Sequence, residues 1–339
     1  MAVSSAIADF VFMEEKAKMF VNSPNALAGN DEKKCDTASA DFQSGESGLA
    51  DVVGSEEEIL AKVRTLVSVL PANNEDDMSY DECGDDLNRL CENIESFRGD
   101  TGKALSMISD DGFFFEVKEN YGPEMVTAFI RLNGMTVGCV ANRTEVLDEE
   151  NEKTAEYEPV LGARGCDKAA EFVSFCDAFN IPVLALVNVK GYKQSKCTER
   201  RIAKAAGRLT YAFANADVPK VTVVIGEAYG SAYVTMNSKS IGADIVYAWP
   251  DAKIGMMDAA AAVKIMYAEE ISASDKAAAL ISEKAAEYEA LQSSAAAAAG
   301  RGYVDDIIKA DETRQRVIAA FEMLFTKREG RPSRKHGTV

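Results

Sequence analysis

The sequence predicts an α/β fold, and three features carry that prediction. Two short, continuous, β-branched runs, IPVLALVNV at 181–189 and PKVTVVIG at 219–226, read as strands buried on both faces. A helical pattern precedes each run; in the first, at 167–180, apolar residues recur every three to four positions. The order helix, strand, helix, strand is that of a parallel sheet joined by right-handed crossovers. At roughly 150 residues per domain the chain corresponds to about two domains. A hydrophobic content of 47% supplies sizeable cores.

In chain order, residues 4–21 read as a strand or helix edge carrying Ile7, Phe10, Val11, Phe12, Met19, Phe20 and Val21. Residues 22–55 are polar and broken by Gly29, Gly45, Gly48 and Gly54, so loops are expected. Ser55 and Glu58 form a capping box, each side chain satisfying the other residue's free N–H. Behind it Ile59, Val63, Leu66, Val67 and Leu70 share one helical face, and Pro71 stops the helix. Residues 72–103, with an acidic run at 73–86, read as a surface connector and a domain boundary; unspaced carboxylates there suit a solvated surface better than a metal. GFFFE at 112–116 reads as a packed hydrophobic edge.

Two β-rich runs at 125–142 meet at Asn133-Gly134, a pair that accepts the positive φ of a type I′ hairpin turn. A polar insertion at 145–165 leads to the helix at 167–180, with Ala169, Phe172, Val173, Cys176 and Phe179 on one face. A loop at 190–198 enters a helix at about 199–215. After the second buried strand come a glycine-containing turn into a short helix at 227–242 and a strand at 244–250. The alanine-rich stretch, SSAAAAAG included, is expected to stay helical to about Ala299, because alanine is the best helix former. An amphipathic helix at 313–325 and a basic tail follow.

Composition narrows the chemistry. The formal net charge is −18, which makes nucleic acid and anionic membranes poor partners. No apolar run reaches the roughly 18 to 20 residues of a membrane span. The N-terminal stretch has no basic start and turns acidic at Glu14 and Glu15, so a cytoplasmic location is expected. Seven cysteines form no Cys-x-x-Cys pair and are expected to be free thiols. The single histidine, His336, lies in the tail. Ser-His-Asp and Cys-His catalysis and histidine-based metal sites are thereby excluded from the body of the chain.

Two turns directly follow the buried strands. Glu227-Ala228-Tyr229-Gly230-Ser231-Ala232-Tyr233 combines small residues with a helix start, where free N–H groups can hold an oxyanion. A tight structural connection has the same composition. Val189-Lys190-Gly191-Tyr192 is the second turn, and two such turns on adjacent strands would define one pocket. Ser231 lacks a nucleophile elbow, since Tyr233 stands where the second glycine belongs. Glu199, Arg200, Arg201 and Lys204 read as a solvated charged face.

DDGFFFEV, NYGPEM with the hairpin that follows it, DKAAEFVSFCDAFNIP, VPKVTV, AYGSAY, YAWP and RGYVDDII occur in that order. Together they resemble the carboxyltransferase subunits of biotin-dependent acyl-CoA carboxylases and decarboxylases. The resemblance implies a crotonase-like ββα superhelix. Residues 1–100 would be the end of a first, N-terminal carboxyltransferase half, and residues 101–339 a complete second, biotin-side domain. It also implies biotin as cofactor, borne on a biotin carboxyl carrier protein, and an acyl-CoA as substrate. Further implied partners are a polypeptide supplying the first half and other copies in a homo- or hetero-oligomer.

By the same resemblance, biotin's ureido anion is the base, and the N–H groups of Ser231 and Ala232 hold its oxygen. Gly230, Tyr233 and Val234, with Gly191 and Tyr192, would line the cofactor site. The sequence departs from the family pattern at several of these points. Gly-Ser-Ala-Tyr at 230–233 replaces Gly-Gly-Ala-Tyr, Asn188-Val189-Lys190-Gly191-Tyr192 replaces Asp-Val-Pro-Gly-Phe, and Asp258 follows Met257 where glycine is usual. Two other readings stand beside this one. One is a biotin-independent crotonase-type hydratase or decarboxylase using Glu227 or Asp258 as acid/base. The other is a scaffold subunit without activity.

Overall fold

A computed structural model describes residues 2–74 and 82–330. Its centre is an eight-stranded sheet: β1 Phe115–Glu116, β2 Met125–Leu132, β3 Met135–Asn142, β4 Val183–Val189, β5 Lys220–Tyr229, β6 Ile245–Ala248, β7 Lys253–Gly255 and β8 Asp306–Ile307. The spatial order is β8-β6-β5-β4-β3-β2-β1, with β7 also pairing β5. From β3 to β8 the pairings are parallel, while β1-β2 and β2-β3 are antiparallel. The hairpin turn has Asn133 at φ 52 and Gly134 at φ 77, as a type I′ turn requires.

Both faces of the sheet are covered, which explains the unbroken apolar runs. Val183, Ala185, Val187 and Val189 alternate onto a face packed by α3 (Ala163–Ala178) and α4 (Ile202–Asn215). Leu184 and Leu186 point to the other face, under α2 (Thr101–Ile108) and α7 (Thr313–Leu324). Trp249 is buried on that side and donates its indole N–H to Thr313 Oγ1 at 3.0 Å. No helix of the described residues is long and apolar enough to cross a membrane. Among the described residues no group of three or more His, Cys, Asp and Glu is arranged to hold a metal. The seven cysteines are free thiols, four of them buried.

Several expectations are corrected. The 22–55 stretch is not all loop: Ser39 caps a helix at Ala40–Gly45, and Val52–Gly54 pairs in parallel with Phe12–Glu14. These elements are three to six residues long, too short for a periodic signal. The capping box at Ser55 is present and starts α1 (Glu56–Val69). That helix buries Leu66 and Val69 rather than the full stripe, and Val67 is exposed. Its C-terminal end reaches the sheet, where Thr136 donates its hydroxyl to the Val69 carbonyl at 2.7 Å.

Of the connector read at 72–103, residues 72–74 and 82–90 are exposed or half-buried, as a surface segment should be, and packing begins at Cys91; residues 75–81 of the acidic run lie outside the described residues, as does His336. Cys91 and Ile94 enter the second core. Arg314, fully buried, donates to Asp110 Oδ1 at 2.7 Å and to the Ile108 carbonyl at 2.7 Å, and lies 3.4 Å from Asp85. The charged start expected at 199–215 is broken, with Lys196–Glu199 preceding α4, and Arg201 pairs with Asp167 at 2.9 Å. The alanine-rich stretch is several helices, among them Ala259–Met266 and α6 (Ala277–Tyr288). Ser294 does not continue a helix but caps a new one at Ala295–Gly300.

The short N-terminal strand Phe12–Glu14 is tied to the body through Asp51. Its Oδ2 accepts the Val11 N–H at 2.7 Å, and its carbonyl accepts the Lys118 N–H at 3.0 Å. Burial pushes the Asp51 carboxyl up to about 6, opposed in part by the Lys118 ammonium. The folded value lies above the unfolded one of about 3.9, so the protonated acid is favoured in the fold. That contribution is present below about pH 4 and lost as pH rises through about 6. Asp51→Asn keeps an acceptor for Val11 and carries no charge. Thermal melts between pH 4 and 7 are expected to show the wild type losing stability relative to this variant; parallel curves would contradict the assignment.

Candidate active site

β5 runs three residues beyond the apolar run read from the sequence. A register shift between Val224 and Ala228 moves its last residues, Glu227–Tyr229, onto β7 while Ala228 stays beside Val189 of β4. The chain then turns at Gly230, whose φ of +60 suits glycine. A Cβ at this position would lie 3.0 Å from the Met256 carbonyl oxygen. Gly230 opens the short helix α5 (Gly230–Thr235).

No side chain caps α5. The first N–H groups of a helix have no partner inside it and carry the positive end of its dipole. The amides of Ser231 and Ala232 are therefore available to an acceptor at the carboxyl edge of the sheet. The Ser231 side chain is exposed, whereas the Ala232 methyl is buried in the core. Tyr233 is buried too, its hydroxyl has no hydrogen-bond partner among the described residues, and burial pushes it up to about 12. The phenol stays neutral. Val234 is half-buried.

The second turn comes alongside the first. Lys190 N–H donates to the Pro159 carbonyl at 2.7 Å, and Gly191-Tyr192 pairs with Val160-Leu161. A Cβ on Gly191 would meet nothing within 4 Å, so this edge is open. The Tyr192 hydroxyl lies 2.9 Å from Thr235 Oγ1, which lies 3.1 Å from Thr210 Oγ1. This hydroxyl chain ties the second turn to α5 and α4. Sequence reading missed Thr210 and Thr235, because only the fold brings residues 192, 210 and 235 together.

Charges around the mouth are paired. Lys190 Nζ is 3.0 Å from Glu227 Oε2, and the Glu227 N–H donates to Asn188 Oδ1 at 3.1 Å. Lys253 is 2.9 Å from Glu289. Arg98 lies over the Trp249 ring at 5.5 Å and reaches Asp251 at 2.6 Å. Asp258 caps the Ala259–Met266 helix through the Ala261 N–H at 3.1 Å. Burial, with Glu227, Asp258 and Glu289 nearby, pushes the Tyr229 phenol upward. The mouth thus offers two amides without a capping partner among the described residues, and both carboxylates considered as acid/base groups are held by protein partners.

A carboxyl transferase domain matches residues 1–339. The chain belongs to the carboxyl transferase domain family. Its carboxyl transferase sequence is 37% identical to the methylmalonyl-CoA carboxyltransferase 12S subunit of Propionibacterium freudenreichii subsp. shermanii, over 98% of this chain and 64% of that protein. It is 35% identical to the methylmalonyl-CoA decarboxylase subunit alpha of Propionigenium modestum, over 99% of this chain and 66% of that protein. The crystal structure of transcarboxylase 12S, a hexamer with hydrolysed methylmalonyl-coenzyme A bound, superposes with a TM-score of 0.89 at 36% identity. That match covers 99% of this chain and 65% of the other. This carboxyl transferase chain therefore spans slightly less than two thirds of the length of these relatives. Its fold is the crotonase-like α/β fold expected from the resemblance.

Proposed function

We propose that this chain moves a carboxyl group between biotin on a carrier protein and an acyl-CoA. The observation that carries the reading is the pair of free amides at Ser231 and Ala232, in a mouth whose candidate carboxylates are already engaged. The open edge at Gly191 leaves room for a flat ureido ring beside them.

When bound, biotin supplies both the carboxyl group and the proton acceptor. The Ser231 and Ala232 amides would hold the ureido oxygen and favour negative charge on it. Gly230 sets the bend that aims them, and the Tyr192–Thr235–Thr210 hydroxyl chain holds the second turn against α5. Gly191, Tyr192, Tyr233 and Val234 shape the remaining walls. A crotonase-type reaction without biotin would need a free acid/base, and Glu227 and Asp258 are committed to Lys190 and Ala261.

In this reading residues 1–100 close a first carboxyltransferase half and residues 101–339 form the second. The first half's turn for the thioester comes from polypeptide outside these residues. The partners are a biotin carboxyl carrier protein and further subunits of an oligomer, in the cytoplasm. Support comes from the hexameric transcarboxylase 12S neighbour. The test is transfer of labelled carboxyl from methylmalonyl-CoA to free biotin, with and without that first half. Label on biotin is expected; hydration of crotonyl-CoA without biotin, and no label, would refute the reading.

A further inference from the structure

We propose that Asn188 is a positioning residue for carboxyl transfer, its carboxamide locking the bulge in β5 from which the Gly230 turn departs. The inference rests on the carboxyl-transfer reading above and adds the group that fixes where the turn points. Val187 pairs with Val224 and Val189 with Ala228, so one residue of β4, Asn188, stands opposite three of β5, Ile225, Gly226 and Glu227. Extra residues on one strand interrupt the ladder and bend that strand. The bend is also where β5 changes its outer neighbour: Val221–Val224 pair with β6, and Glu227–Tyr229 with β7.

The Asn188 side chain fills the break. It is buried, and its Oδ1 accepts the Glu227 N–H at 3.1 Å, so a side chain takes the place of a ladder carbonyl. Gly226 is not at a positive φ; it is the space around it that calls for glycine. A Cβ there would lie 2.5 Å from Asn188 Oδ1 and 3.3 Å from Arg98 Cδ. Arg98 is itself held over the Trp249 ring and by Asp251. The carboxamide and the Arg98 stem together occupy the room that a side chain at 226 would need. Only Ala228 and Tyr229 separate Glu227 from Gly230, and both are paired to β7. A shift at Glu227 therefore passes directly to the amides beyond the bend, and a misplacement of about 1 Å can cost about 10²-fold in rate.

Steady-state transfer of labelled carboxyl from methylmalonyl-CoA to free biotin, by the complete protein together with the first half, is compared with that of three variants. Asn188→Ala removes the acceptor and should lower kcat about 10²-fold, with KM for methylmalonyl-CoA within about twofold of wild type. Asn188→Asp keeps an oxygen for the Glu227 N–H and should retain kcat within about fivefold. Gly226→Ala leaves Asn188 in the chain but displaces its carboxamide, and should lose kcat as Asn188→Ala does. Deuterium exchange at the Glu227 amide reads the lock without reference to activity: slow in the wild type and Asn188→Asp, faster in the other two. Melting temperatures check folding, and if Asn188→Ala does not fold, Gly226→Ala against Asn188→Asp decides. Wild-type kcat in folded Asn188→Ala or Gly226→Ala overturns the proposal. Equal losses in Asn188→Ala and Asn188→Asp also overturn it, as does a loss of rate with Glu227 exchange unchanged. In each of these the wild type still transfers label, so only this inference falls; no transfer by the wild type overturns the carboxyl-transfer reading and this inference with it.

Discussion

Ser231→Pro lowers carboxyl transfer to biotin by about 10²- to 10³-fold, the usual cost of one lost oxyanion donor, and Ser231→Ala leaves it within about twofold. The two variants separate amide from hydroxyl. Proline deletes the N–H and keeps a helical φ of about −65°. Its ring also points to solvent, because the Ser231 side chain is exposed. The preceding residue, Gly230 at φ +60, lies outside the extended region that proline favours in its neighbour, so circular dichroism checks the fold of this variant too. Ala232→Pro should cost as much, but its ring would enter the core and calls for a folding check by circular dichroism. The readout is the initial rate of label transfer from methylmalonyl-CoA. A folded Ser231→Pro protein with wild-type rate would remove the amide from the mechanism.

Arg314→Met destabilises the fold by about 3–5 kcal/mol, the range for removing one partner of a buried ion pair. Arg314 bridges the C-terminal helix to Asp110 and Asp85, and its removal leaves the buried Asp110 carboxylate without its cation, held by the Asn133 and Gly134 N–H groups. Urea unfolding monitored through Trp249 gives the value, because that indole packs against the same helix. A change under about 1 kcal/mol would place this pair among the weak surface bridges. Acid should act at the same joint. The Asp85 carboxyl is held down at about 2, chiefly by the Arg89 guanidinium. A depressed folded value contributes stability above the unfolded value of about 3.9, which is lost as pH falls towards about 2.

Much of the fold is legible where one residue type has one physical reason. Val183 to Val189 alternates between two buried faces, so every position must be apolar until Asn188. Asn133-Gly134 marks its turn because both residues accept positive φ. Ser55 and Glu58 mark a helix start by mutual hydrogen bonds. The packing of residues 82–98 is not legible, since Arg89 and Arg314 hold it with polar side chains that also suit a surface. Ser294 looks like part of an alanine helix until its hydroxyl is seen to accept from Ala297 N–H. At the site, Gly230 to Ala232 can be read locally as a strand-to-helix turn. Thr210, Thr235 and the Lys190–Glu227 pair depend on the register of distant segments, which no local pattern encodes.

Amide resonances measured during a biotin titration test the central claim most directly. With the deuterated, ¹⁵N-labelled protein, the Ser231 and Ala232 N–H signals should move together and saturate with the binding curve, as expected for two donors sharing one acceptor. Biotin binding that leaves both signals in place would show that the acceptor lies elsewhere, and the account would fail.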